Sequence, residues 1–190
     1  FNKFDVDIIL RPDMRSTGEV MGIDESFGMA FAKAELSAGM PMPTSGSIIV
    51  TVNQHDKATI TPIMRRFHDL GFKVMATEGT ARYFRARGIP AERVYKVNEG
   101  RPNIVDHIIS GDISLLINTP LGKKSHYDDY AMRRAAISYK TPYCTTISAA
   151  SAAADAATAL RSRKREVRSL QERYAALAEQ LAATADLTAQ

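Results

Sequence analysis

Phe72-Lys-Val-Met-Ala-Thr-Glu-Gly-Thr-Ala81 is the stretch of sequence from which the fold can be read. Its apolar beginning predicts a buried strand, and the apolar residues that follow Thr80 recur at helical spacing. A strand that turns directly into a helix leaves backbone N–H groups unpaired at the helix start. Gly79 lets a ligand approach the backbone, and the hydroxyls of Thr77 and Thr80 add donors. The stretch therefore predicts either a phosphate cradle or an ordinary N-cap in which a threonine satisfies its own helix.

The same alternation of strand and helix recurs on both sides of this stretch. Apolar, β-branched runs predict strands over residues 48–52, 72–77, 94–97, 113–117 and 143–147, and helical patterns predict helices over 57–69, 80–87, 104–109, 126–139 and 149–160. Such alternation is typical of an α/β fold, and it predicts a five-stranded parallel sheet flanked by helices. Ligands of sheets of this kind bind at the carboxyl ends of the strands.

The N-terminal part departs from this alternation. Residues 4–10 predict a strand or extended segment, and residues 24–38 predict a helix capped by Asp24 or Ser26. The apolar side of that helix is expected to be Phe27, Ala30, Phe31, Ala34 and Leu36, with Phe27 and Phe31 packed against neighbouring structure. Two prolines and two glycines within residues 39–46 predict a linker. We therefore divide the chain into residues 1–42, a domain over 43–160 and a helical extension over 161–190.

The C-terminal extension is basic and amphipathic. Residues 161–173 contain six Lys and Arg residues but only two Glu residues. We expect these charges to lie on a solvated helix face or to contact an acidic partner, and we expect no bound nucleic acid. Apolar residues also recur there at spacings of three and four. This seam could dock on its own domain, on another domain or on a second copy of the chain, and it consists of Val167, Leu170, Tyr174, Leu177 and Leu181.

Composition indicates a globular protein. The 190 residues are 45% hydrophobic and 24% charged, with a net charge of +4. No stretch approaches the roughly 20 apolar residues of a membrane span, and the start, which lacks Met and a leader pattern, indicates a piece of a longer chain. The lone Cys144 excludes an internal disulfide and fits a reducing, cytoplasmic location. Cys144 lies in a predicted strand, so we expect a core residue and not a nucleophile.

Polar residues follow the predicted strands. Because the carboxyl ends of parallel strands share one edge of the sheet, two lysines, several hydroxyls and an amide are expected to converge there, as suits an oxyanion with two charges. The candidate residues are Lys57, Thr77, Gly79, Thr80, Lys96, Asn118 and Thr119. Catalysis is less well supported, because the adjacent His55 and Asp56 point apart and no metal-ligand spacing is present. We expect a binding site with no catalytic residue and no metal.

Two groups of motifs resemble the large chain of carbamoyl-phosphate synthase. Phe1-Asn-Lys-Phe4 and Met14-Arg-Ser-Thr-Gly-Glu-Val-Met-Gly22 resemble the end of its second ATP-grasp unit. Ala76-Thr-Glu-Gly-Thr-Ala81, Lys96-Val-Asn-Glu-Gly-Arg-Pro102 and Ile117-Asn-Thr119 resemble the allosteric domain that follows it. The resemblance covers about residues 1–160 and implies a methylglyoxal-synthase-like, Rossmann-like fold behind an ATP-grasp remnant.

This resemblance also implies a function. The whole enzyme makes carbamoyl phosphate from bicarbonate, glutamine-derived ammonia and two ATP, with a small glutamine amidotransferase chain as partner and with ATP, magnesium or manganese, and potassium as its cofactors. The catalytic residues would precede Phe1, so this chain is expected to be non-catalytic and to hold no cofactor. It would bind a nucleotide effector such as UMP or IMP through the candidate residues above, and so modulate the synthesis.

Two departures from the family pattern bear on the effector. Pro120 stands where members with a well-formed nucleotide site have a second Thr, which removes one phosphate contact. Cys144 stands where members activated by ornithine have an acidic residue, which argues against that activator. One alternative is a structural or oligomerisation module with a degenerate site. Another is a methylglyoxal-synthase-type lyase, although the catalytic Asp of that enzyme is missing from Glu99-Gly100-Arg101, and a third is a cyclohydrolase domain of purine synthesis, which has no ATP-grasp tail.

Overall fold

A five-stranded parallel sheet forms the centre of the computed structural model, which describes residues 19–119 and 126–188. Its strands lie in the order β3-β2-β1-β4-β5, and all pairs are parallel. The predicted α/β fold is therefore confirmed. The strands are β1 (Ser47–Thr51), β2 (Lys73–Ala76), β3 (Glu92–Arg93), β4 (Leu115–Asn118) and β5 (Tyr143–Cys144).

Seven helices are present in the described residues, and six of them pack around the sheet. One face of the sheet carries an apolar cluster formed with α1, α2, α3 and α6, and the other face carries a cluster formed with α4 and α5. None of these helices is long and apolar enough to cross a bilayer. The helices are α1 (Phe27–Ser37), α2 (Lys57–Asp69), α3 (Glu78–Arg85), α4 (Ile104–Ile109), α5 (His126–Ser138), α6 (Ile147–Ser162) and α7 (Leu170–Thr188).

The buried face of α1 differs from the predicted one. Gly28, Met29 and Ala32 are buried, whereas Phe27 is 66% exposed and the predicted inward residue Leu36 is 44% exposed. The reason is close packing on the alanine-rich α6, because a Cβ added at Gly28 would lie 2.4 Å from the Asp155 carbonyl oxygen. Only small side chains fit where two helix backbones approach this closely. A pattern search for large apolar residues therefore selects the wrong face.

Two other expectations for the N-terminal region are confirmed. Ser26 caps α1, since its Oγ accepts a hydrogen bond of 3.4 Å from the Met29 N–H. Phe31 packs against the core as expected. Ala32 and Met42 belong to the same apolar cluster as the sheet, and the domain boundary at residues 42 and 43 stays a prediction. The predicted segment over residues 4–10, most of the first motif group and Pro120 lie outside the described residues.

Several element boundaries also differ from those predicted. The third strand was expected over residues 94–97, but it ends at Arg93, because the chain then turns and Tyr95 pairs with Asn103. The fifth strand ends at Cys144, since Thr146 already caps α6 through a 3.1 Å hydrogen bond from the Ala149 N–H. β3 and β5 are the two edge strands, and each has a single neighbouring strand. Because they are so short, no long apolar run in the sequence marks where they end.

The C-terminal extension is not one continuous helix. The chain is non-helical over residues 163–169, and Val167 is 99% exposed, so it takes no part in a seam. Leu170, Tyr174 and Leu177 are 52%, 70% and 50% exposed, and in the described residues this face of α7 is therefore not docked on its own domain. The basic side chains do make internal contacts. Arg163 binds the Asp24 carboxylate and the Ser26 hydroxyl, and Arg173 donates to the Ile23 carbonyl oxygen.

Candidate functional site

Buried polar side chains are concentrated at the carboxyl ends of β1, β2 and β4. Nine polar or charged side chains are buried among the described residues, and all but two of them lie at this edge or bind a residue that does. Burial of a polar group is unfavourable unless the group is hydrogen-bonded. This edge is therefore built differently from the apolar sheet above it, and its members are Thr51, Thr77, Thr80, Asn118, Thr119, Asp129 and Arg133.

The strand register brings the predicted residues together. Val50 pairs with Ala76, and Thr51 pairs with Asn118. Thr77 follows Ala76 directly, so Thr51 on the central strand has Thr77 on one side and Asn118 on the other. Neighbouring strands lie about 4.8 Å apart. The predicted convergence on one edge is thus reproduced for the residues that follow β2 and β4.

Lys57 reaches this edge from the start of α2. Its Nζ donates a hydrogen bond of 3.2 Å to the carbonyl oxygen of Gly79, in the first turn of α3. The same Nζ lies 5.8 Å from the centre of the Tyr83 ring. Burial, and secondly the charge of Arg82, lower the pKa of the Lys57 ammonium from its ordinary value. An ammonium has three N–H donors, and the bond to Gly79 uses one of them.

The start of α3 lies two residues earlier than predicted. Thr77 is the N-cap, and its carbonyl oxygen accepts hydrogen bonds of 2.8 Å from the N–H groups of Thr80 and Ala81. Gly79 and Thr80 therefore lie inside the first helical turn and not in a separate loop. The Thr77 side chain makes no capping hydrogen bond, so the alternative in which this hydroxyl satisfies its own helix is wrong.

The Asn118 amide is held by two residues that the sequence analysis missed. Asn118 Nδ2 donates to Asp129 Oδ1 at 3.0 Å, and Arg133 Nη1 donates to Asn118 Oδ1 at 3.0 Å. Both partners belong to α5 and are buried. Helical periodicity could have revealed them, because it places Asp129 and Arg133 on the same side of the predicted helix as Met132, which is buried.

Thr119 joins two loops of the edge. Its Oγ1 accepts hydrogen bonds from the backbone and side-chain N–H groups of Asn53, at 3.4 and 3.5 Å. Asn53 in turn binds Asp56, whose backbone N–H donates to Asn53 Oδ1 at 2.9 Å. Thr119 is therefore placed at the predicted edge, but its hydroxyl already links the segments that follow β1 and β4.

Lys96 is the predicted residue that the structure does not join to the others. Its ammonium lies 3.7 Å from Glu99, and its side chain is 51% exposed. Glu99 Oε2 also accepts a hydrogen bond of 3.2 Å from the Lys96 backbone N–H. The Lys96 ammonium is therefore paired with a carboxylate of its own loop.

Two other kinds of site, a metal centre and a reactive thiol, were looked for in the part of the chain that the structure describes. No group of three or more His, Cys, Asp or Glu side chains that could hold a metal ion occurs in these residues. Cys144 is buried, and burial, followed by the charge of Glu35, raises the pKa of its thiol to about 12. As predicted, this cysteine is a core residue.

Comparison with known proteins gives a consistent picture. Residues 59–145 match the family model described as an MGS-like domain. The chain is 53% identical over 173 residues to the carbamoyl phosphate synthase large chain of Gemmatimonas aurantiaca. The aligned residues cover 90% of this chain and 16% of that protein. It is 47% identical over 175 residues to the carbamoyl phosphate synthase large chain, C-terminal section, of Aquifex aeolicus, covering 90% of this chain and 33% of that protein.

A third relative, from Methanopyrus kandleri, is also a carbamoyl phosphate synthase large chain, C-terminal section. It is 53% identical over 152 residues, which cover 80% of this chain and 28% of that protein. The chain therefore spans only 16% to 33% of the length of these relatives.

Proposed function

This chain belongs to the carbamoyl phosphate synthase large chain family and contains its MGS-like domain, and from that premise we propose that it is a regulatory domain which binds a nucleotide effector through its phosphate. The effector is of the UMP or IMP type. The phosphate lies at the carboxyl edge of the sheet, between Lys57 and the first turn of α3. The observation that carries this proposal is the contact of the Lys57 ammonium with Gly79, 3.2 Å long, at a helix start bordered by buried threonines.

The chemistry of this edge favours an anion. A lysine ammonium supplies a point charge, and the N-terminal turn of α3 supplies backbone N–H groups and the positive end of a helix dipole. Each charge-assisted hydrogen bond sheltered from water contributes about 1.5–3 kcal/mol. Thr77 and Thr80 add neutral donors, Asn118 adds an amide, and Thr119 supports the loop behind them. Lys96 lies on an exposed loop and would join the site by moving away from Glu99.

The activity of the whole protein is part of the same proposal. In the full-length enzyme the domain would modulate ATP-dependent synthesis of carbamoyl phosphate from bicarbonate and glutamine-derived ammonia. Its partners would be the rest of the large chain and a small glutamine amidotransferase chain, and ATP, magnesium or manganese, and potassium would act outside these 190 residues. The chain itself is proposed to be non-catalytic, and a cytoplasmic location stays a prediction.

Calorimetric titration tests the binding. The chain is titrated with UMP, IMP and inorganic phosphate, and the titrations are repeated on Lys57→Met and on Lys73→Met. Lys73 is a matched control, because it opens β2 at the opposite end of the sheet and pairs with Glu92 at 2.8 Å. Lys57→Met should raise the Kd about ten- to a hundredfold, and Lys73→Met should leave it unchanged. Absence of binding by the unaltered chain would refute the proposal.

Regulation requires a second experiment on the full-length large chain. Binding alone does not establish allostery, which needs two sites and a coupling free energy between them. The rate of carbamoyl phosphate synthesis is measured against UMP concentration in the unaltered enzyme and in Lys57→Met. The proposal expects a UMP-dependent rate that Lys57→Met makes insensitive to UMP. A rate of the unaltered enzyme that does not respond to UMP would refute the regulatory role.

The exposed face of α7 supports a second candidate role in oligomerisation. Leu170, Tyr174 and Leu177 recur at heptad spacing and are at least half exposed. A second copy of the chain could cover them. Sedimentation equilibrium of the chain and of Leu170→Ala tests this role, which requires a dimer that the substitution weakens. A monomer at all concentrations would exclude it.

A further inference from the structure

A buried pair of opposite charges holds the Asn118 side chain. Asp129 and Arg133 are 3% and 1% exposed, and no other acidic or basic residue is buried in the described part of the chain. They are one turn apart on α5 and therefore share one side of that helix. Each makes a 3.0 Å hydrogen bond to a different atom of the Asn118 amide.

These two bonds fix the direction in which the amide faces. An ionised carboxylate only accepts hydrogen bonds, and a guanidinium only donates them. A flipped amide would set its oxygen against Asp129 and its N–H groups against Arg133, and both bonds would be lost. Nδ2 carries a second hydrogen, for which no acceptor is found among the described side chains. Asn118 therefore keeps one N–H for a ligand, beside the second lone pair of an Oδ1 that already accepts from Arg133.

Asp129 and Arg133 carry opposite charges, and both bind the Asn118 amide. Buried ion pairs often stabilise a fold no more than apolar residues of the same size would. What this pair supplies, and what an apolar pair could not, is the orientation of the amide.

Resting on the function proposed above, we propose that Asp129 and Arg133 are positioning residues, which hold Asn118 as a hydrogen-bond donor to the bound phosphate. The strand register supports this role, because Asn118 lies next to Thr51 and on the edge that Thr77 shares. The remaining N–H of Nδ2 favours a ligand that presents an acceptor at this point. A phosphate oxygen is such an acceptor, and a ligand amine is not.

A double-mutant cycle on the 190-residue chain tests this role. The Kd of UMP is measured by calorimetry for the unaltered chain, Asn118→Ala, Arg133→Met and the double variant, and thermal unfolding is recorded for each. Arg134→Met is the matched control, since Arg134 is the next residue on α5 but is exposed and donates to the Tyr130 hydroxyl at 3.0 Å. Arg133→Lys, which keeps a donor, covers the case in which Arg133→Met does not fold.

The positioning role predicts non-additive losses of affinity. Asn118→Ala and Arg133→Met should each raise the Kd about tenfold, and the double variant should bind no more weakly than Asn118→Ala alone. Arg133→Lys should recover part of the affinity, and Arg134→Met should bind as the unaltered chain does. A merely structural role of Arg133 would lower the melting temperature and leave the Kd unchanged.

Two results would overturn the inference, and they are distinguishable. If the unaltered chain binds UMP and Lys57→Met weakens that binding, but the Arg133 variants bind normally, the positioning role is refuted and the proposed function stands. If the unaltered chain binds neither UMP nor inorganic phosphate, the proposed function fails and the positioning role fails with it.

Discussion

Replacement of Gly79 by alanine should make the protein more stable and its phosphate site weaker. Gly79 lies in the first turn of α3, and its backbone is not in the left-handed region. A Cβ built there would meet only Lys57 Nζ, at 3.6 Å, which is ordinary van der Waals contact. Glycine inside a helix is less favourable than alanine by about 0.5–1 kcal/mol. Gly79→Ala should therefore raise the melting temperature by about 1–4 °C.

The same methyl group should obstruct ligand binding. A phosphate bound by Lys57 and by the first N–H groups of α3 would occupy the space beside Nζ that the Cβ fills. Loss of one charge-assisted hydrogen bond is equivalent to about 1.5–3 kcal/mol, so we expect the Kd for UMP to rise about tenfold or more. Circular dichroism measures the melting temperature, and calorimetry measures the Kd.

Gly88→Ala is a control for which the opposite effects on stability and on binding are expected. Gly88 has a φ of +72° and open space around the position of a Cβ, so alanine there should be strained by about 1–2 kcal/mol. That variant should be less stable and bind UMP normally. A Gly79→Ala chain that gains stability and retains full affinity would show that no phosphate approaches the start of α3, and the reasoning would be wrong.

Three further predictions concern the fold. Gly28→Ala should lower the free energy of unfolding in urea by about 1–3 kcal/mol, because its Cβ would lie 2.4 Å from the Asp155 carbonyl oxygen; an unchanged midpoint contradicts the close packing of α1 on α6. Burial alone would raise the pKa of Asp24, but hydrogen bonds from Lys33, the Ser26 N–H and Arg163 lower it from 3.8 to about 2. This carboxylate should therefore contribute stability above pH 3.8 that is lost as the pH falls toward 2, and acid titration of Asp24→Asn should lack that loss. The Cys144 thiol, with a pKa raised to about 12, should not react with a thiol reagent until the protein unfolds, and rapid labelling of the native chain would contradict its burial.

The core of the fold was predictable because local rules and packing agree there. Helices α2 and α4 begin and end at the predicted residues, since Gly71 and Gly111, with φ of +80° and +74°, end the helical segments and let the chain turn. The face of α1 was not predictable from large apolar residues, because it is the small side chains that contact α6. Helix α7 begins nine residues later than expected, after a non-helical segment that its composition does not reveal.

The candidate site was predictable where strand ends decide it. Lys57 and Gly79 come together because each follows a neighbouring strand of the sheet, and that placement needs only the order of the elements. The hydrogen-bond partners of Asn118 could not be predicted, since Asp129 and Arg133 belong to α5 and not to the strand that carries Asn118. Side-chain contacts between different elements depend on tertiary packing, which the spacing of apolar residues in the sequence does not encode.

The central claim is that an anion binds between Lys57 and the start of α3, and amide NMR during a UMP titration tests it most directly. The account predicts that the backbone N–H groups of Glu78 and Gly79 and the side-chain amide of Asn118 shift most, with one common Kd. Large shifts confined to another place would contradict it. One such place is the cavity of about 490 Å³ that Ile23, Leu36 and Val167 help to line.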